Sequence, residues 1–265
     1  NVNKEIKISL DTTLEELLVG MTDKEVDYIR FDIEKNDPPQ EGGYLLWQVM
    51  TSIQHGFYRT IFHYMKKHPN DTVKAIEEVI DKMSQQACSL IVKLEFGTIT
   101  LGGSIGIIDR LPYNFDKLKN LRKLYLNSQP IEDFGPLRNL ELNFLCAEGC
   151  HITDPSPVKL DRLYWYNLRY SKVKNLEYFK DSKFLTGMQL EKTPIDDSQI
   201  EALLQMPNLC DFDISGCPNL YLPEEMVPFR EIQDGRYQVD ESEKKIRYAR
   251  RDSEPEVFDP MYHGG

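Results

Sequence analysis

The sequence predicts an α/β solenoid, a fold in which short repeats stack in a row and each repeat adds one strand to an open sheet. One observation is a spacing of three apolar residues followed by a small or polar one, which occurs five times between Leu121 and Cys217. The small or polar positions fall 21 to 25 residues apart once a weaker leading copy is included. Such a period is typical of stacked repeats rather than of one globular core.

The five full copies share one internal order. They read Leu121-Leu124-Leu126-Gln129, Leu142-Leu145-Ala147-Cys150, Leu163-Tyr166-Leu168-Ser171, Leu185-Met188-Leu190-Thr193 and Leu209-Phe212-Ile214-Cys217. In four copies a β-branched residue follows two positions later. The weaker leading copy, Phe96-Ile99-Leu101-Ser104, predicts that the first strand of the solenoid lies at 97–101.

This pattern resembles the leucine-rich repeat family, whose repeat reads L-x-x-L-x-L-x-x-N/C-x-L. The resemblance covers residues 96–222 and implies a short array of about 5–6 repeats. It also implies protein recognition, because members of the family mostly act as binding scaffolds. The chain departs from the pattern in having no asparagine at the N/C position and in carrying Ala147 at a leucine position. The implied solenoid is therefore irregular and has no continuous asparagine ladder.

Residues 1–88 predict a helical N-terminal module that follows a short strand at 5–10. Its long helix ends at 66–69, where lysines favour a helix C-terminus and Pro69 prevents continuation. Asp71 is placed to cap the last helix. The apolar stripe of that helix comprises Val73, Ile76, Val79, Ile80 and Met83.

The solenoid is predicted over 89–226 and a C-terminal capping extension over 227–265. Segments 235–239 and 245–248 alternate in hydrophobicity across a polar turn, which predicts a β-hairpin. Such a hairpin would cover the exposed edge of the last repeat. We expect the helical module to cover the opposite end.

Charge and composition exclude several classes of partner. The net charge of -11 is spread evenly along the chain, so nucleic acid is not expected as a partner. The sequence contains no run of 18 apolar residues that would span a membrane. An odd count of five cysteines favours reduced thiols and a cytoplasmic protein, while a start at Asn1 rather than Met leaves secretion open. The oligomeric state is not predicted.

The sequence nominates no catalytic, cofactor-binding or metal-binding residue. His55 and His63 are eight residues apart on the long helix, which is too far for one metal ion. The glycine-rich segment 102–106 lacks the lysine of a phosphate-binding loop. We therefore expect a protein without a cofactor and without catalytic activity.

The concave face of the solenoid is the predicted binding surface. Residues beside the buried leucines of each strand point to that face, because side chains alternate along a strand. Exposed aromatic residues next to an arginine match the composition of interface hot spots. The predicted contact residues for a protein partner are Lys123, Tyr125, Phe144, Glu148, Trp165, Asn167, Arg169, Gln189, Glu191, Asp211 and Asp213.

Several alternatives stay open at this point. The aromatic residues on the face form either a binding surface or a core that another module of the chain covers. The chain is either a non-catalytic adapter or the substrate-recognition part of an enzyme-linked protein, such as a bacterial effector or a ligase-type factor. A toxin-neutralising binder cannot be separated from the adapter by sequence.

Overall fold

The computed structural model describes residues 57–58, 60–96, 107–209 and 211–221, together with the backbone of strands at 235–240 and 245–250. The predicted strand at 5–10 and the glycine-rich segment 102–106 lie outside the described residues. The chain divides into two compact units. Among the described residues, the first holds 57–94 and 112–121, and the second holds 95–96, 107–111, 122–221 and both C-terminal strands.

Among its described residues, the first unit has three helical segments: α1 at 57–58 and 60–65, α2 at Thr72–Lys82 and α3 at Gln85–Ser89. The predicted cap of α2 is confirmed, since the Asp71 side chain accepts a hydrogen bond from the backbone N–H of Lys74 at 3.0 Å. Four residues of the predicted apolar stripe are buried, namely Val73, Ile76, Val79 and Ile80. The helix thus forms because a capped N-terminus precedes one continuous apolar face.

Segment 112–121 belongs to this first unit, and Asp81 of α2 accepts several of the hydrogen bonds that the segment donates. Asp81 accepts hydrogen bonds from the Tyr113 hydroxyl at 2.7 Å, from the Asn114 amide at 3.0 Å and from the Lys117 ammonium at 2.5 Å. These donors favour the charged carboxylate and lower the pKa of Asp81 to about 2, with the Lys117 bond as the largest cause. A 3-10 helix, Phe115–Lys117, holds the segment in this position.

The strands of the sheet are β1 (Lys93–Glu95), β2 (Lys123–Tyr125), β3 (Phe144–Cys146), β4 (Trp165–Asn167), β5 (Gly187–Gln189), β6 (Asp211–Asp213), β7 (Gly235–Asp240) and β8 (Lys245–Arg250). The second unit is built on strands β2 to β8, which follow one another in chain order, and the chain passes from the first unit to the second within β1. Strands β2 to β6 are parallel and pair without an offset. Strand β7 runs antiparallel to β6, and β8 runs antiparallel to β7.

The core of the solenoid confirms the predicted repeat. The central residue of each strand from β2 to β6 is fully buried, and these residues are Leu124, Leu145, Tyr166, Met188 and Phe212. The other apolar positions of the five copies are buried with them, as are Ile131, Ile152, Val173 and Ile195. Each buried side chain of this size contributes about 1.5–3 kcal/mol, so stacking of equivalent positions stabilises every neighbouring repeat. The leucine-rich repeat resemblance is therefore confirmed at the level of the fold.

The small or polar position is buried in all five copies and satisfies backbone groups in different ways. The Cys150 thiol donates to the Leu126 carbonyl at 3.3 Å, and the Cys217 thiol donates to the Leu190 carbonyl at 3.2 Å. Gln129 accepts instead from the backbone N–H of Ile108 at 2.8 Å. A varied set of donors and acceptors thus stands where a continuous asparagine ladder would lie.

The leading repeat starts earlier than the sequence predicted. Strand β1 is Lys93–Glu95, and the backbone N–H of Phe96 donates to the Tyr125 carbonyl at 2.8 Å. Leu126 makes the equivalent bond to the Cys146 carbonyl in the next repeat. Phe96 therefore takes the third apolar position, and its predicted place as the first apolar position of the leading copy is wrong. The predicted strand at 97–101 lies outside the described residues. The sequence Ile91-x-x-Leu94-x-Phe96 carries the same spacing.

Candidate functional site

The concave face consists of three columns of side chains that cross strands β2 to β6. The paired register places Lys123, Phe144, Trp165, Gly187 and Asp211 in the first column. It places Tyr125, Cys146, Asn167, Gln189 and Asp213 in the second. By sequence position, the third column holds Asn127, Glu148, Arg169, Glu191 and Ser215. All eleven predicted contact residues therefore lie in these columns.

Three aromatic residues meet on one half of this face, and we call Tyr125, Phe144 and Trp165 the aromatic strip. The Tyr125 and Phe144 rings have centroids 5.0 Å apart and are tilted by 34°. The Phe144 and Trp165 rings are parallel within 4°, with centroids 6.5 Å apart. All three side chains are half-buried, so the strip keeps accessible ring surface.

The sequence prediction missed Tyr164, which belongs to the same cluster. Its ring meets that of Phe144 edge to face, with centroids 6.3 Å apart. Tyr164 directly precedes strand β4 and therefore lies outside the three columns of concave positions. In the sequence, only the aromatic character of Tyr164 indicated that it could join the aromatic cluster.

Gly187 is the second residue that the prediction left out, and it makes room for Trp165. A Cβ atom at Gly187 would lie 2.0 Å from the Trp165 ring, far inside any allowed contact. The indole therefore leans from β4 across the backbone of β5. A glycine inside a strand marks such a close approach.

Arg169 binds the chain itself on the other half of the face. Its Nη2 donates to Gln189 Oε1 at 2.9 Å and to Asp213 Oδ2 at 3.0 Å, while its Nε lies 3.4 Å from Glu191 Oε2. The side chain reaches from the end of β4 across β5 to β6. Arg169 is 19% exposed, whereas the carboxylates of Glu191 and Asp213 are 9% and 3% exposed. The guanidinium thus compensates two buried charges.

Hydrogen bonds hold the remaining polar residues of this half. The Asn167 amide donates to Glu148 Oε2 at 3.2 Å, and its Oδ1 accepts from the backbone N–H of Arg169 at 3.0 Å. Asp213 Oδ1 accepts from the backbone N–H and the hydroxyl of Ser215 at 2.9 and 2.6 Å. The polar residues of this half that are buried are Asn167, Gln189, Glu191, Asp211 and Asp213. The concave face therefore divides into a half-exposed aromatic part and a buried polar part.

The histidine and cysteine side chains of the described residues do not form a metal site. Within the described ranges, no three histidine, cysteine or acidic side chains lie close enough to hold a metal ion. His68 contacts Glu78 at 2.7 Å in the first unit, and His55 lies outside the described residues. Burial raises the pKa of the Cys146 thiol to about 11, so the one cysteine on the concave face is protonated at neutral pH. No helix in the described part of the chain is long and apolar enough to cross a membrane.

The chain is similar in structure to two proteins of Listeria monocytogenes. One is internalin C2, with 21% sequence identity and a TM-score of 0.47, where the match covers 59% of this chain and 66% of that one. The other is internalin F, with 22% identity and a TM-score of 0.31, where the match covers 56% of each chain. The chain thus spans less than two thirds of the length of either protein. No family model matches the sequence, and no curated protein sequence matches it.

Proposed function

We propose that the protein is a non-catalytic recognition module that binds a protein partner through the aromatic strip. The observation that carries this proposal is the contiguous, half-exposed row of Tyr125, Phe144 and Trp165 on the concave sheet. Large, rigid aromatic side chains contribute much contact area at low cost in conformational entropy. Such residues dominate the binding energy of protein interfaces.

The contacts beneath and beside the strip support the proposal, because they hold its shape before a partner arrives. The Trp165 indole lies over Gly187 and is parallel to the Phe144 ring. The neighbouring polar residues are fixed by the Arg169 network. A surface that is ordered in advance loses less entropy on binding.

The proposal also narrows the predicted contact set. The predicted residues that are half-buried rather than buried are Lys123, Tyr125, Phe144, Glu148, Trp165 and Arg169. Of these, Arg169 is already bonded to its own chain. Gln189 and Asp213 are each 2% exposed, so they support the surface instead of contributing contact area. The partner would therefore sit over strands β2 to β4.

Capture of a partner from native lysate tests the proposal. The immobilised wild-type chain is compared with Tyr125→Ala/Trp165→Ala and with a control, Phe184→Ala/Tyr221→Ala, which removes two aromatic side chains that are 54% and 73% exposed away from the strip. Loss of one specific partner only in the strip variant is expected, because a hot-spot residue is worth about 2 kcal/mol or more. Equal capture by the strip variant and the wild type would refute the proposal.

A further inference from the structure

We infer that the partner anchors on this face with an arginine side chain, which pairs with Glu148 and stacks on the neighbouring aromatic strip. This inference rests on the proposed function and specifies the chemistry of the partner. It starts from the carboxylates of the concave face, of which Glu191 and Asp213 are already paired with Arg169.

Glu148 differs from those two carboxylates because it makes no ion pair with any residue in the described part of the chain. Its Oε2 accepts one hydrogen bond from the neutral Asn167 amide, which leaves Oε1 without a donor. Glu148 is half-buried rather than buried, so an incoming side chain has access to it. A half-buried carboxylate gains more from a cation than a fully solvated one does.

A second acceptor without a donor lies on the adjacent strand, in the same column as Glu148. This acceptor is Asn127 Oδ1, a buried atom that makes no hydrogen bond in the structure. The backbone N–H of Ser128 donates to the Glu148 carbonyl at 2.7 Å, so the two residues are neighbours across the sheet. The Asn127 amide oxygen is buried in the unbound chain. The terminal torsion of an asparagine is broad, and the proposed contact requires the Asn127 amide to rotate when the partner binds. Two adjacent acceptors match the several N–H donors of a guanidinium.

The surface between Glu148 and the aromatic strip is neutral. Cys146 lies two residues before Glu148 on β3 and pairs in register with Tyr125. Its thiol is protonated at neutral pH, as its raised pKa of about 11 requires. Two residues of a strand span about 7 Å, and the proposed arginine places its guanidinium in this interval, bonded to Glu148 and stacked on the Tyr125 ring.

The combination of two adjacent acceptors with a neighbouring aromatic ring favours arginine over lysine. A guanidinium is planar, stacks on aromatic faces and donates to two acceptors at once, whereas an ammonium is a compact and strongly hydrated charge. An apolar side chain of the partner would lie on Phe144 and Trp165, and the arginine would lie at Glu148. The partner therefore presents an apolar residue and an arginine a short distance apart.

Two blocked peptides of matched shape test this inference, Gly-Phe-Gly-Arg-Gly and the same peptide with citrulline in place of arginine. The chain has two tryptophans, so a Trp47→Phe background leaves Trp165 as the only fluorescent reporter. The arginine peptide is expected to bind about tenfold more tightly than the citrulline peptide, because only arginine makes a charge-assisted pair. The Glu148→Gln variant should reduce that ratio to about twofold or less. Glu132→Gln, which removes an exposed carboxylate elsewhere, should leave the ratio unchanged.

Equal affinity for the two peptides, or an unchanged ratio in Glu148→Gln, would overturn the arginine inference. These outcomes are distinguishable from failure of the proposed function. If Tyr125→Ala/Trp165→Ala abolishes capture of the protein partner while Glu148→Gln does not, the strip binds a partner but does not use an arginine. If neither variant affects capture, both the function and the inference are wrong.

Discussion

Arg169 illustrates how a residue of the hot-spot type serves the fold itself. Its guanidinium contacts Gln189, Glu191 and Asp213, and the two carboxylates are nearly inaccessible. A buried carboxylate without a cation is costly, because its lost hydration is not replaced. We therefore interpret Arg169 as a structural residue that links β4 to β6.

Replacement of Arg169 should therefore destabilise the protein strongly. Arg169→Ala removes the guanidinium from two buried carboxylates, although Glu191 keeps Lys192 at 3.7 Å and Asp213 keeps its hydrogen bonds from Ser215. The change is expected to cost about 2–3 kcal/mol of unfolding free energy, somewhat less than removing one partner of a fully buried ion pair. Arg162→Ala is the matched control, since Arg162 is 59% exposed and its pair with Glu141 lies in solvent. That control should cost less than about 1 kcal/mol in urea denaturation. A similarly small loss of unfolding free energy in both variants would contradict this structural role of Arg169.

Gly187 should be intolerant of even one methyl group. Gly187→Ala places a carbon 2.0 Å from the Trp165 ring, so the indole must move. Overpacking of this kind costs about 1–3 kcal/mol, and the emission of Trp165 in a Trp47→Phe background should shift. Gly135→Ala meets only a flexible Asp133 carboxylate at 3.0 Å and serves as the control. Unchanged emission in Gly187→Ala would show that the indole does not lie over β5.

At the scale of the element, the buried thiols of the repeats should be inert while the protein is folded. Burial raises the pKa of Cys150 to about 12 and that of Cys146 to about 11, so neither forms the reactive thiolate at pH 8. In a Cys210→Ser background, a thiol-specific reagent should react slowly with the native protein and rapidly after denaturation. Rapid reaction of two or more thiols in the native state would contradict the packing of these repeats.

The link between helix α2 and segment 112–121 should weaken in acid. The pKa of Asp81 is lowered from 3.8 to about 2, so its contribution is complete above about pH 4 and is lost as the pH falls through about 2. Asp81→Asn should therefore lower the unfolding midpoint at pH 6 and make little difference near pH 2. Because Glu78 titrates over the same range, Glu78→Gln is measured in parallel. A difference between wild type and Asp81→Asn that does not depend on pH would refute this assignment.

Sequence reasoning succeeded where a position is defined by its own repeat. Leu145 and Met188 are buried because the spacing of three apolar residues fixes which side of the strand faces the core. Sequence reasoning failed for the leading copy, because one apolar pattern ends at Phe96 and a second begins there. Only the hydrogen bond from Phe96 to Tyr125 shows that the first pattern is the one that pairs with β2. Local pattern alone does not determine which of two registers pairs with the next strand.

At the scale of the whole molecule, the sequence predicted which residues form the columns of the concave face. It did not predict that the face divides into an aromatic part and a buried polar part. Alternation along each strand placed Tyr125, Phe144 and Trp165 on one surface. The engagement of Arg169 depends on a side chain that crosses β5, a contact between strands that are not adjacent. The sequence therefore indicated which residues share the face, while the structure showed which of them remain accessible.

Site-specific photo-crosslinking tests the central claim most directly. A benzoylphenylalanine at position 144 replaces a residue of the aromatic strip, and the same amino acid at position 184 replaces an exposed phenylalanine outside it. Irradiation in native lysate is predicted to give a discrete covalent adduct with one protein from position 144 and none from position 184. An adduct from position 184 together with none from position 144 would contradict the assignment of the strip as the binding surface.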